Sequence, residues 1–168
     1  MWRSAWFKPN GPLADVGPRH NGCMTPWANQ LLDSCPGSLA ERLAAVVRSR
    51  FPLAMAVYAF GSQVQGNAHA SSDLDLAVLV AGYADPLALW GVSGDLADIA
   101  GCPVDLVDLR AASTVMQYQV ITTGRRLWCA GLPVDLFECF VLSEKTALDE
   151  ARAPLLADIA ATGRIYAR

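Results

Sequence analysis

Two aspartates separated by one residue, Asp73 and Asp75, are the side chains of this sequence best suited to chemistry. They follow a Gly61-Ser62 pair after ten intervening residues. If the two aspartates begin a strand, its two-residue period places both carboxylates on one face, roughly 7 Å apart. Neighbouring carboxylates repel each other unless a hard cation such as Mg²⁺ supplies compensating charge. The pair therefore predicts a magnesium site.

The Gly61-Ser62 pair stands where a predicted strand turns into the next element. A glycine there lets the backbone approach a phosphate closely, and the free amides at a helix start can bind the phosphate together with the Ser62 hydroxyl. Magnesium keeps several water ligands and usually takes one or two carboxylates plus substrate phosphates. We expect the turn to bind a nucleoside triphosphate and Asp73 and Asp75 to position its metal.

A third carboxylate is expected from the next predicted strand, which contains Asp105 and Asp108. In an alternating strand these two side chains point to opposite faces, so only one of them can join the first pair. We choose Asp105 because it is nearer to the strand start, and Asp108 is its rival. In the chosen role Asp105 shares a catalytic metal and draws the proton from an attacking hydroxyl.

The elements that must position these residues follow from hydrophobic periodicity and from glycine and proline positions. A Ser-Leu-Ala-Glu capping box starts the first helix at Ser38, and Pro154 is expected to split the last one. This order predicts an α/β (α+β) domain, a mixed sheet with helices packed on it. The predicted helices are 38–50, 86–100, 112–123 and 135–162, and the predicted strands are 53–60, 73–80, 103–109 and 125–129, the last at an edge.

Composition limits the kinds of protein this can be. A chain of 168 residues with 53% hydrophobic content is sufficient for one core, which we assign to residues 38–168. Residues 1–37, rich in Pro, Gly and Asn, are expected to form an irregular or partly disordered leader. A net charge of -3 makes nucleic acid an unlikely partner, and no apolar run is long enough to span a membrane. We expect a cytoplasmic protein.

The cysteines, one arginine pair and four aromatic residues lie outside the predicted site. Five cysteines without a C-x-x-C pair are typical of reduced, mostly buried thiols. Arg125 and Arg126 form a compact basic pair that suits phosphate, an acidic partner surface or an edge strand's solubility. Four aromatic residues at core-like positions are interpreted as packing residues: Trp90, Tyr118, Trp128 and Phe140.

The Gly-Ser, ten-residue, Asp-x-Asp pattern, followed by Pro-Val-Asp-Leu-Val-Asp-Leu over 103–109, resembles the nucleotidyltransferase superfamily of DNA polymerase beta. It is most similar to the minimal, MntA-type antitoxins, and the resemblance covers residues 38–168. It implies the nucleotidyltransferase fold, with the triphosphate of ATP bound at Gly61 and Ser62. It also implies that Asp73, Asp75 and Asp105 hold two Mg²⁺ ions.

The resemblance further implies an activity and a partner. The members it points to transfer AMP from ATP to a tyrosine of a HEPN-domain ribonuclease, the HepT-type toxin, and so silence it. This sequence departs from the common family form because Gln63 and Gln65 replace basic residues, which weakens the expected grip on phosphate.

Two other functions stay open from the sequence. The chain would act as a non-catalytic antitoxin if it neutralised its toxin by occlusion, with the fold serving as a platform. It would instead modify a small molecule if the acceptor were a hydroxyl of the kind used by aminoglycoside-modifying relatives of the fold. A homo-oligomer and a hetero-oligomer with the toxin are both compatible with the sequence.

Overall fold

A computed structural model describes residues 37–67, 69 and 72–163 of the chain. The predicted leader therefore lies outside the described residues, apart from Gly37. The described helices are α1 (Leu39–Arg50), α2 (Pro86–Ala100), α3 (Thr114–Thr123) and α4 (Leu132–Thr162). The strands are β1 (Ala54–Phe60), β2 (Leu74–Val80), β3 (Val104–Asp108) and β4 (Arg125–Cys129). The predicted order of elements is confirmed.

Helix α1 starts at the expected cap. Ser38 Oγ accepts a hydrogen bond from Glu41 N at 3.2 Å, and the Glu41 carboxylate accepts one from Gly37 N. These bonds satisfy amides that have no partner within the helix itself. The capping sequence thus places the start of α1, which packs against the sheet through Leu43 and Val47.

The four strands form one mixed sheet in the order β3-β2-β1-β4. Strand β1 lies antiparallel to β2 and β4, whereas β2 and β3 are parallel. Strand β4 is at an edge, as predicted. The parallel pair needs a crossover connection, which α2 supplies. The β1–β2 turn and the starts of β2 and β3 consequently meet at one end of the sheet.

Alternate residues of the central strands face two separate layers of the core. In β2, Leu76 and Val78 pack under α1 and α2, whereas Ala77 and Leu79 pack with Val120 of α3 and Val134 of α4. Because side chains alternate across a strand, the odd-numbered residues of β2 share the α3 and α4 side. This parity decides where the acidic residues of β2 and β3 point.

The last helix differs from its prediction. Helix α4 begins at Leu132 and runs through Pro154 to Thr162 without a break. A proline inside a helix removes one backbone donor and crowds the preceding turn. Pro154 lies on an exposed stretch of α4, where the chain can adjust without disturbing the core. The expected split at Pro154 is therefore wrong.

The expected packing role of the aromatic residues is wrong for three of the four. Trp90, Phe140 and Tyr118 are 80%, 58% and 36% exposed. Only Trp128 is half-buried, with the Arg48 guanidinium 4.4 Å from its ring centroid. Helical periodicity identifies an apolar face without showing whether anything covers it.

The cysteine prediction is confirmed in part. Cys102, Cys129 and Cys139 are free thiols; the first two are partly buried and Cys139 is exposed, so the expected burial is wrong for Cys139. Cys23 and Cys35 lie outside the described residues. No helix within the described ranges is long and apolar enough to cross a membrane.

Candidate active site

Gly61 directly follows β1 and has a conformation that suits glycine. Its φ is +78°, and a Cβ added to it would lie 2.0 Å from Asp75 Oδ2. The Gly61 backbone therefore lies directly against the Asp75 carboxylate, at a distance that no other residue permits. The β1–β2 register explains the contact, because Phe60 is the strand partner of Asp75.

The segment after Gly61 is a turn closed by two backbone hydrogen bonds. Gln65 N donates to Gly61 O at 3.2 Å, and Asn67 N donates to Ser62 O at 3.0 Å. The first amides of such a turn have no acceptor within the turn itself. Ser62, half-buried at its start, adds a hydroxyl beside those amides. The turn therefore combines donors of the type that bind phosphate.

The three predicted aspartates lie on one face of β2 and β3. Asp75 and Asp105 are paired in the parallel register. Asp73 immediately precedes β2 and has the same parity as Asp75. Asp75 is half-buried, whereas Asp73 and Asp105 are exposed. We name these three residues the site cluster.

The site cluster carries negative charge at close range. Burial, followed by the charges of Asp105 and Asp73, raises the pKa of Asp75 from its ordinary 3.8 to about 6. Within the described part of the chain, the ion pairs join other residues: Arg50 with Asp95, Arg126 with Asp135 and Glu138, and Lys145 with Asp149. A bound cation would reverse the unfavourable interaction, so the cluster fits a metal.

The arrangement suits a metal that arrives with its substrate. Among residues 37–67, 69 and 72–163, no three His, Cys, Asp or Glu side chains are already grouped closely enough to hold an ion. Mg²⁺ needs only one or two carboxylates when phosphates and water complete its ligands. The exposed side chains of Asp73 and Asp105 are free to adjust to such an ion. The donor set consists of carboxylates, the ligand type that Mg²⁺ takes together with phosphate and water, and does not form a closed metal cage.

Comparison with known proteins decides the family. The polymerase beta nucleotidyltransferase family matches residues 42–131, a stretch that contains the Gly61 turn and all of the site cluster. The chain belongs to the polymerase beta nucleotidyltransferase family.

Relatives of this nucleotidyltransferase include the protein adenylyltransferase MntA of Shewanella oneidensis. The two are 38% identical over 121 residues, which make up 72% of this chain and 87% of that protein. A crystal structure of a toxin-antitoxin with AMP-PNP matches with a TM-score of 0.66 and 36% identity, covering 72% of this chain and 98% of that chain. A tri-AMPylated Shewanella oneidensis HEPN toxin in complex with MNT antitoxin matches with a TM-score of 0.63, 32% identity and coverage of 78% and 98%.

The rival carboxylate of this nucleotidyltransferase, Asp108, lies on the opposite face of β3 and has backbone partners. Its two oxygens accept hydrogen bonds from Ala84 N at 2.8 Å and Arg110 N at 2.9 Å. Asp108 is buried, with 7% exposure, whereas Asp105 is exposed. Asp108 therefore fixes the loops at the far end of β3, and the geometry leaves Asp105 beside Asp75.

Sequence reasoning missed the bonds made by two glutamines of the nucleotidyltransferase turn. Gln63 Nε2 donates to Ser72 O, directly before Asp73, and Gln65 Nε2 donates to Thr123 Oγ1 at 3.1 Å. The sequence showed only that these two glutamines replace the basic residues of the common family form. Their side chains brace the turn instead of adding charge to it.

The basic pair also separates in the structure. The Arg126 guanidinium donates to Asp135 Oδ1 at 2.9 Å and to Glu138 Oε2 at 3.0 Å, both on α4. Arg126 is therefore a link between β4 and α4, and its charge is balanced there.

Proposed function

We propose that this nucleotidyltransferase transfers AMP from ATP to a tyrosine hydroxyl of a HEPN-family, HepT-type toxin, and thereby acts as the antitoxin of a toxin-antitoxin pair. The observation that carries the proposal is the placement of Asp73, Asp75 and Asp105 on one face, beside the Gly61 turn. Similarity to MntA, a protein adenylyltransferase, supports the choice of reaction.

The substrate is held by the turn and the site cluster. The amides after Gly61 and the Ser62 hydroxyl bind the triphosphate of ATP, and the side chains of Asp73, Asp75 and Asp105 would hold two Mg²⁺ ions. When bound, the ions supply neutralising charge and Lewis acidity at the α-phosphate. Gly61 keeps Asp75 close to the phosphate-binding backbone because its missing side chain leaves room for the carboxylate.

The transfer step needs one base and one leaving group. Asp105 accepts the proton of the toxin tyrosine hydroxyl. The tyrosine oxygen forms a bond to the α-phosphorus while the bond between the α-phosphorus and the oxygen that bridges it to the β-phosphate breaks. AMP is then attached to the tyrosine, and pyrophosphate leaves with the electron pair. Asp105 suits this role because it is exposed at an edge strand, where a protein substrate can approach.

The setting follows from the substrates. The toxin and ATP are the partners of the chain, and the cytoplasm supplies ATP and Mg²⁺. Free thiols at Cys102, Cys129 and Cys139 are consistent with a reducing compartment.

The test combines the purified chain, its cognate toxin, Mg²⁺ and ATP labelled at the α-phosphate. We expect label on the toxin, loss of labelling in the double variant Asp73→Asn/Asp75→Asn, and loss when the toxin's acceptor tyrosine is changed to Phe. Asp98→Asn, which removes an exposed acid from α2, is the matched control and should label normally.

Three results would contradict the proposal. Toxin neutralisation that survives in the double variant would favour occlusion. Label on a small molecule with none on the toxin would favour the small-molecule acceptor. Equal labelling by the double variant and the unchanged chain would remove the site cluster from the chemistry.

A further inference from the structure

Gln63 is buried in a place where its chemistry has consequences for the site. Gln63 lies in the turn after Gly61 and is only 2% exposed. Nε2 donates to Ser72 O across a sequence separation of nine residues. Ser72 is itself held, because its N donates to His69 O at 3.0 Å and its Oγ accepts from His69 N at 2.8 Å. Gln63 thus connects the turn to the residue that precedes Asp73.

From this bond we infer that Gln63 is a positioning residue: it sets the separation between the phosphate-binding turn and Asp73. The inference rests on the proposed function. The bond from Gln63 joins the turn to Ser72, in the segment that leads into β2, whereas the exposed Gln65 bonds to Thr123 of α3 and does not reach that segment. A magnesium triphosphate that bridges the turn and the aspartates depends on that separation being constant.

The burial of Gln63 explains why an uncharged side chain serves here. A buried cation without a paired acid is costly, whereas an amide can donate to a backbone carbonyl at little cost. The Gln63 Oε1 atom is also buried and has no hydrogen-bond partner in the described structure. An unsatisfied buried acceptor carries a desolvation cost, which works against the stability contributed by the bond to Ser72 O.

The distinguishing variant is Gln63→Met, which keeps the length of the side chain and removes both polar atoms. Removing an unpaired buried oxygen offsets the loss of one hydrogen bond, so we expect a thermal midpoint close to that of the unchanged chain. Gln63→Leu serves in its place if the Met variant does not fold. Gln65→Met is the matched control, because it removes a glutamine bond on the side of the turn away from Asp73.

The measurement is binding of Mn²⁺ to each purified chain in the presence of AMP-PNP, followed by electron paramagnetic resonance. We expect binding by Gln63→Met to be about tenfold weaker than by the unchanged chain, and binding by Gln65→Met to be weaker by less than about threefold. Adenylyl transfer by Gln63→Met should need a correspondingly higher Mg²⁺ concentration for half-maximal rate, with the same toxin KM.

The outcomes separate this inference from the proposed function. If the unchanged chain binds no Mn²⁺ with AMP-PNP, the proposed function fails and the inference fails with it. If the unchanged chain binds and the folded Gln63→Met variant binds equally well, only the positioning role is overturned. Equal weakening in the Gln63 and Gln65 variants would also overturn it, because the effect would then belong to the turn as a whole.

Discussion

Two groups of acidic side chains lie on the same side of the sheet and differ in what balances their charge. The site cluster has an Asp75 whose pKa is raised by burial and by two neighbouring acids. The second group, which we call the Arg126 cluster, contains Arg126, Asp135, Glu138 and Tyr58. There one guanidinium serves both acids, and Tyr58 Oη donates to Glu138 Oε1 at 2.7 Å.

The difference shows how function and stability are divided in this molecule. In the Arg126 cluster the protein supplies its own cation. The acids of α4 are therefore bonded to Arg126 of β4, and Glu138 is also bonded to Tyr58 of β1. In the site cluster the neighbouring acids repel one another, which costs stability, and under the proposed function a cation that comes with the substrate would balance them. Changes to the site cluster should therefore alter activity more than stability, and changes to the Arg126 cluster should do the opposite.

The largest expected effect is that of Asp105→Asn. Under the proposed function this variant loses the base and a metal ligand, so adenylyl transfer should fall by about a thousandfold, or about 4 kcal/mol of activation free energy. Thermal unfolding should be unchanged or slightly improved, because one of three repelling charges is removed. Steady-state labelling of the toxin and a melting curve measure the two quantities.

Asp108→Asn is the matched control on the same strand. It should destabilise the fold by about 1 to 3 kcal/mol, because the new amide nitrogen cannot accept the hydrogen bond that one carboxylate oxygen accepted from a backbone N–H. Its rate below the melting transition should stay near that of the unchanged chain. A larger rate loss in Asp108→Asn than in Asp105→Asn would reverse the assignment of the two residues.

Gly61→Ala is the next largest change. The new methyl group would meet Asp75 Oδ2 at 2.0 Å and must displace the carboxylate. We expect adenylyl transfer to fall about a hundredfold, or about 2.7 kcal/mol. Gly101→Ala has a comparable φ of +71° and open space around it, so it bears the backbone strain of about 1 kcal/mol without the clash. Equal activity losses in both variants would show that backbone strain, and not the contact with Asp75, is responsible.

Arg126→Ala tests the compensated group. Glu138, whose side chain is 18% exposed, would lose its cation, and we expect a loss of about 2 kcal/mol in the free energy of unfolding. Arg50→Ala breaks the more exposed pair with Asp95 and should cost less than about 1 kcal/mol. Denaturant titration measures both. A rate loss in Arg126→Ala without loss of stability would move Arg126 from structure to function.

The smallest expected effect is on pH dependence. Because the pKa of Asp75 is about 6 in the fold and 3.8 ordinarily, the folded chain binds this proton more tightly than the unfolded chain. The resulting stability is full below about pH 4 and is lost as the pH rises through about 6. Asp75→Asn should therefore remove about 1 kcal/mol of the stability gained between pH 7 and pH 4, after allowance for solvent screening. A pH series of unfolding curves without added metal checks this; identical pH profiles for both chains would contradict it.

The ability of the sequence to predict the site varied from residue to residue. Asp73 and Asp75 share a face because alternation is local, and the same rule separated Asp105 from Asp108. The bond from Gln63 to Ser72 was not predictable, since it joins residues nine positions apart that follow no regular period. The exposure of Trp90 and Phe140 was missed because periodicity reports which residues share a face and not what packs on it.

The sequence by itself determined the order of the elements, the parity of the aspartates and the turn after Gly61. Each of these depends on backbone geometry within a few residues. Only the tertiary structure decided that Asp105 lies beside Asp75, that Asp108 and Arg126 are occupied by other partners, and that Gln63 braces the turn. Register, burial and charge compensation arise between segments distant along the chain, so they exist only once the sheet has assembled.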